Sequence, residues 1–326
     1  MKRPVITFTL IFLVINSYSQ DKTPVKLPVE IEELTSPDFA LAVKKSKRTC
    51  IIPLGILEKH GHHLPLATDL ITAREIAIKA AQQEYTLVFP SYYFGQIFEA
   101  KHQPGTFAYS HELIWKLLEE TCEELSRNGI KKIVLVNGHG GNDHFLPYFC
   151  QAQLAKKRDF AVVLFRFEEN EEYTQRMDEL KQTEVDGHAG ELESSVMYSI
   201  QPDLVHTERA GDESGSDMAR LDSLPNAYTG IWWYAKFPNH YAGDCSDVHP
   251  KVYWLFRCSF GAILSQCMHH RIRLSRNENM HRRKDITHTI YNTNDIFPPS
   301  FEDNDYRLFA WRRSKAEFLF FLNSCQ

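Results

Sequence analysis

From Pro53 to Asp69 the chain reads Pro-Leu-Gly-Ile-Leu-Glu-Lys-His-Gly-His-His-Leu-Pro-Leu-Ala-Thr-Asp, which packs Glu58, His60, His62, His63 and Asp69 into a few turns of backbone. Carboxylate and imidazole are the side chains that hold divalent metal ions. Glu58 and His60 lie two apart at the end of the apolar run 49–57. In an extended segment both point to one side, where they can share one ion or serve two adjacent ones. Gly61 and Pro65 let the chain fold back, and Asp69 opens the helical pattern 70–80, so its carboxylate can return to the pair. One such histidine alone would be read as a loop residue bonded to backbone, but the whole string is read as a metal site.

Groups of this kind need a rigid frame, and the surrounding sequence supplies one. The run 49–57 reads as a strand, and residues 85–90 as a short buried strand. Residues 110–128 read as a helix with Leu113, Leu117, Leu118, Cys122 and Leu125 at helical spacing, ended by Gly129. The β-branched run 131–136 breaks at Asn137-Gly138-His139-Gly140-Gly141-Asn142, before a helix expected from about 143 to 157 and a further strand at 160–165. Strands alternating with helices imply a largely parallel sheet covered on both faces, that is, a three-layer α/β/α sandwich. In such sheets ligands sit at the carboxyl ends of strands, where Glu58, His60 and His139 fall. The charged stretch 168–184 reads as an exposed helix or flap.

The string from Glu58 to Asp69 resembles the signature of the creatininase family of metal-dependent amidohydrolases, Glu-x-His-Gly-x-His-Leu-Pro-Leu-x-Thr-Asp, with every fixed position present. The resemblance runs from about Pro53 to Asp247 and includes His102-Gln103-Pro104-Gly105-Thr106, the Asn137–Asn142 turn and His188-Ala189-Gly190-Glu191-Leu192-Glu193-Ser194. It implies a creatininase-like sandwich and two divalent ions, Zn2+ before Mn2+ or Fe2+. By the same resemblance Glu58 and His139 would serve one ion, His60 the other, and Asp69 would bridge them.

The second ion then needs another carboxylate. Creatininase proper carries it where this chain has Gly141, whereas other branches take it from the fourth motif, which points to Glu193 with Glu191 as the rival. His188 would shuttle protons while a metal-bridging hydroxide attacks the amide carbonyl. The resemblance also implies a homo-oligomer.

The chain begins Met-Lys-Arg-Pro, followed by a nearly continuous apolar run from Val5 to Ile15 and then Ser17 and Ser19. Residues 1–19 therefore read as a signal peptide, the mature chain as periplasmic or secreted with no stable membrane span, and 20–250 as the hydrolase domain. Residues 251–326 lose clean periodicity and read as an atypical extension, whose histidines at 269, 270 and 281 carry little functional weight. With 43% hydrophobic and 24% charged residues the composition is that of an ordinary globular protein. A net charge of -5 and no basic stripe interleaved with aromatics give nucleic acid no footing. Seven cysteines form no CxxC pair, and Cys50, Cys122 and Cys150 read as buried thiols.

Three other chemistries fit less well. The Asn137–Asn142 turn lacks the Lys-[Ser/Thr] of a phosphate loop. Ser214 has Asp212 and Ser216 where a nucleophile elbow needs glycines. A non-catalytic protein that retains the metals for ligand capture would be favoured by loss of Asp69 or His188, and both are present. Within the family, a deformylase or peptidase-like branch is the runner-up to a small cyclic or linear amide, because no Trp closely precedes His188; Trp232 and Trp233 are open to a role in the pocket, the core or a subunit contact.

Overall fold

The structure is a computed structural model that describes residues 27–165 and 171–245, together with 248. The signal peptide expected at 1–19 and the extension at 251–326 lie outside the described residues. Helix α1 (Ser36–Lys45) leads into β1 (Thr49–Leu54), followed by α2 (Thr68–Gln83), β2 (Leu87–Val88), α3 (His111–Arg127) and β3 (Lys132–Asn137). Then come α4 (Phe145–Ala152), β4 (Ala161–Phe165), α5 (Glu171–Leu180), β5 (Asp186–His188), α6 (Glu191–Ile200), α7 (Trp232–Lys236) and β6 (Ala242–Gly243).

The four strands β2-β1-β3-β4 form one parallel sheet. Every residue of β1 is buried, as a central parallel strand requires when helices cover both faces. The period of two divides its side chains between layers. Ile51, Val134 and Val136 pack with Ile76, Ala77 and Ala80 of α2 and Val196 of α6. Cys50, Ile52, Leu54, Ile133 and Leu135 pack on the opposite face with Ala42 and Val43 of α1, Leu118 and Cys122 of α3, and Phe149 of α4. This is the expected α/β/α sandwich.

Local rules account for the element ends. Ser110 caps α3 by accepting the Leu113 N–H, and Thr35 caps α1 by accepting that of Asp38. The expected strand at 85–90 shortens to Leu87–Val88, since Pro90 has no N–H to continue a ladder. The helix expected from about 143 to 157 is broken into a 3-10 turn at Gly140–Asp143, α4, and a second 3-10 turn at Gln153–Ala155. Pro147 explains the late start of α4: it sits within the first turn, where a missing N–H costs no bond, whereas a helix begun at Asp143 would need that N–H. The charged segment does form a helix, α5, and it buries Met177 against the sheet while Asp178 and Glu179 stay exposed.

A small antiparallel pair, β5 with β6, lies beyond the main sheet and registers His188 against Ala242. It brings the chain around residue 240 next to the fourth motif.

Candidate metal centre

Three chain segments converge at the carboxyl edge of the sheet. Glu58 and His60 follow β1, Asp69 lies in the first turn of α2, and His139 follows β3; all four are buried. Gly138 makes the approach possible, because a Cβ there would sit 2.7 Å from the Asp69 carbonyl oxygen and 3.2 Å from that of Leu54. The asparagines of the turn hold its shape. Asn137 Oδ1 accepts from the His139 N–H at 3.2 Å and from Asn142 Nδ2 at 3.1 Å, and Asn142 Oδ1 accepts from the Gln96 N–H at 2.9 Å.

The protonation of each ring follows from its partners, because a backbone carbonyl can only accept. His139 Nε2 donates to the Gln96 carbonyl at 2.7 Å, His60 Nδ1 to that of Glu58 at 3.3 Å, and His188 Nε2 to that of Lys59 at 2.9 Å. In each neutral ring the remaining nitrogen is then a bare lone pair. Those nitrogens face carboxylates. His139 Nδ1 lies 2.8 Å from Glu58 Oε1 and 3.2 Å from Asp69 Oδ2, and His60 Nε2 lies 3.0 Å from Asp69 Oδ1. Glu193 Oε2 is 3.8 Å from His60 Nε2 and 3.9 Å from His188 Nδ1.

Acceptors that face one another at such distances in a dry interior repel unless a cation lies between them. Glu58 Oε1 and Asp69 Oδ2 are buried and accept no hydrogen bond, although the His139 ring is within reach; distance is met there and donor geometry is not. A bare chain answers with protons. Burial works to lower the ring pKa of His60, but Asp69, Glu58 and Glu193 outweigh it and raise it to about 10. His139 is raised well above the usual histidine value by Glu58 and Asp69, again against burial. Divalent ions displace such protons, so this donor set fits a metal site. Among the described residues, two groups have the convergence an ion requires: Glu58 with Asp69 and His139, and Glu58 with His60 and His188.

All six residues expected from the sequence therefore come together: Glu58, His60, Asp69, His139, His188 and Glu193. The fourth-motif carboxylates take different places. Glu191 is fully buried, and its oxygens accept the Gln182 N–H at 2.8 and 3.0 Å and the Thr183 N–H at 2.8 Å, so it fastens the loop before β5. Glu193 is turned to the cluster, with Oε2 also accepting the Ala189 N–H at 2.6 Å. At position 141 a Cβ would lie 2.4 Å from His139 Nε2 and 3.0 Å from the Gln96 oxygen that this nitrogen bonds. Any side chain there would disturb the bond that orients His139.

The remaining histidines of the first motif stand outside the cluster. His62 is exposed beside Asp212 and Glu213. His63 is buried, and its Nε2 lies 2.9 Å from the Ala189 carbonyl and 3.2 Å from Ser194 Oγ, which ties the first motif to the fourth. Sequence reasoning missed His240, whose Nε2 lies 2.5 Å from Glu58 Oε2 although 182 positions separate the two. No local pattern announces it. Trp233, left open above, is at the site, edge-on to His188 with ring centres 5.9 Å apart.

Comparison with known proteins identifies the family. The creatinine amidohydrolase family profile, Creatininase, matches residues 32–250. The chain is 26% identical over 214 residues to the creatinine amidohydrolase of Pseudomonas putida, covering 60% of this chain and 81% of that protein. It is 32% identical over 186 residues to the mycofactocin precursor peptide peptidase of Mycolicibacterium smegmatis, covering 55% and 68%. A crystal structure of creatinine amidohydrolase superposes with a TM-score of 0.62 at 22% identity, over 74% of this chain and 99% of that one. With two thirds of its length matched and its fold shared, the chain belongs to the creatininase family of amidohydrolases, hydrolases of carbon–nitrogen bonds.

Proposed function

We propose that the chain hydrolyses the C–N bond of a small cyclic or linear amide at a centre holding two divalent ions. The carrying observation is the orphaned pair Glu58 Oε1 and Asp69 Oδ2, turned with His139 Nδ1 and His60 Nε2 toward common points. Glu58 and His139 would hold one ion, His60 and Glu193 the other, and Asp69, with one oxygen toward each histidine, would serve both. Mixed carboxylate and imidazole donors suit Zn2+ first, then Mn2+ or Fe2+. Solved creatininases described as Zn-Zn and Mn forms support zinc and manganese as candidates. Such ions would lower the pKa of water and polarise the amide carbonyl.

The chain's own side chains supply the proton path. His188 keeps a proton on Nε2, fixed by the Lys59 carbonyl, so exchange occurs at Nδ1, the nitrogen turned toward Glu193. Nδ1 takes a proton from the attacking water and returns it to the leaving nitrogen. The ring is held between those of His60 and His240, each at 4.3 Å between centres. That packing restricts it to one orientation.

A second reading is the peptidase-like branch of the family, with cleavage of a precursor peptide. The identity of 32% to a precursor peptide peptidase supports it. Export to the periplasm or beyond is supported by the basic and apolar N-terminus. Likeness to the creatininase family supports assembly into a homo-oligomer. The deciding experiment combines elemental analysis of the purified chain with turnover of creatinine, N-formyl amides and short peptides. Hydrolysis of small amides with two ions bound is expected; two bound ions with no turnover on any of them would favour ligand capture instead.

A further inference from the structure

His240 differs from the other buried histidines of the site in its bonding. Its Nδ1 accepts the indole N–H of Trp233 at 2.8 Å, which leaves the ring proton on Nε2, and Nε2 donates to Glu58 Oε2 at 2.5 Å. A nitrogen that carries a proton cannot also bind a metal, so His240 is not a ligand. The other Glu58 oxygen, Oε1, is the orphan that faces His139. One carboxylate thus has one oxygen clamped by the protein and one left free.

The clamp is built at some cost. His240 adopts φ +53, a left-handed conformation that disfavours residues with a Cβ, and it is 3% exposed. Contacts from elsewhere hold it there. The His240 N–H bonds the Phe237 carbonyl at 3.0 Å, and the Pro238 carbonyl accepts from Gln103 Nε2 at 2.9 Å with His102 Nε2 at 3.1 Å. The second motif, His102–Thr106, therefore fastens the turn that carries His240.

We propose that His240, with its tautomer set by Trp233, is a positioning residue that holds Glu58 as a one-oxygen ligand and so sets the affinity of the ion shared by Glu58 and His139. The inference rests on the two-ion reading above. Outer groups that orient a ligand typically change metal affinity about 10- to 100-fold when removed. Glu58 Oε1 lies 2.8 Å from His139 Nδ1 against 3.9 Å from His60 Nε2, so the effect should fall first on the ion beside His139.

The test uses the full chain, stripped with chelator and titrated with Co2+, whose absorption resolves successive sites. For His240→Leu the site shared by Glu58 and His139 should weaken about 10- to 100-fold, with the other site changed less than about threefold. His240→Gln, whose amide can donate to Glu58, should recover most of that loss, which a packing role alone would not give. Trp233→Phe removes the donor that fixes the tautomer and should give an intermediate loss, and it carries the test if His240→Leu does not fold. Equal weakening of both sites, or a Gln variant no better than Leu, overturns the inference. If the wild-type chain binds no Co2+ the two-ion reading itself fails, whereas two Co2+ bound unchanged in His240→Leu refutes only the role of His240.

Discussion

Asp69→Asn preserves shape and removes charge, which makes it the sharpest probe of the metal centre. The Asp69 oxygens lie 3.0 Å from His60 Nε2 and 3.2 Å from His139 Nδ1, so an ion beside either ring sits within about 4 Å of the carboxylate. Each unit of ion charge at that distance is worth about 4 kcal/mol at an effective dielectric constant near 20. Loss of that amount, half the attraction to a divalent ion, is already about a thousandfold in a dissociation constant, felt by both ions. The amide brings a second effect: its N–H can donate to a bare histidine nitrogen and fill with a hydrogen bond the gap an ion would occupy. The fold should survive and the metal should not. After dialysis against a chelator that leaves wild type with two ions, Asp69→Asn should retain at most one by elemental analysis, with unchanged far-ultraviolet circular dichroism and no measurable turnover. A variant that keeps two ions at affinities within tenfold of wild type and turns over substrate normally would refute the bridging role.

Other residues separate chemistry, metal binding and stability. His188→Asn should keep both ions while slowing amide hydrolysis by about two to four orders of magnitude, the loss expected of a missing proton shuttle. Because His188 also lies in a group with Glu58 and His60 that could hold an ion, loss of metal along with activity would instead make it a ligand. Glu193→Gln should lose the second ion with little change in the urea midpoint, whereas Glu191→Gln, which disturbs a buried carboxylate holding two backbone N–H groups, should destabilise by about 1–3 kcal/mol and leave metal content intact; the reverse pattern would exchange their roles. Burial, with Glu193 and Glu191 nearby, raises the Asp186 carboxyl from 3.8 to about 6. The folded chain thus holds this proton more tightly than the unfolded one, and stability is lost as pH rises from about 4 to 6 and stays lost above. Asp186→Asn should therefore stabilise by up to about 3 kcal/mol at pH 8 and by much less near pH 4; a gain independent of pH would count against the ionised form as its cause.

The sequence by itself determined which acidic and imidazole side chains would gather at the carboxyl edge of the sheet. Glu58, His60 and Asp69 lie within one short string, His139 interrupts a strand-to-helix turn, and His188 and Glu193 share one motif, so local spacing carries the signal. The alternation of β-branched runs with helical patterns likewise dictated a parallel sheet with ligands at its carboxyl edge, because each layer must bury its apolar face. Tertiary structure decided what depends on the meeting of distant segments. Glu191 and Glu193 are both acids at the start of one helix, and only the fold of the loop at 182–183 takes the first and leaves the second facing His60. The bare nitrogen on each ring is set by carbonyls of Gln96, Glu58 and Lys59, which no spacing rule connects to histidine chemistry. His240 reaches Glu58 through the pairing of β5 with β6 and the anchoring of Pro238 by Gln103. A sequence records donor types along one dimension, whereas the direction of a lone pair follows from three-dimensional contacts between segments far apart in the chain.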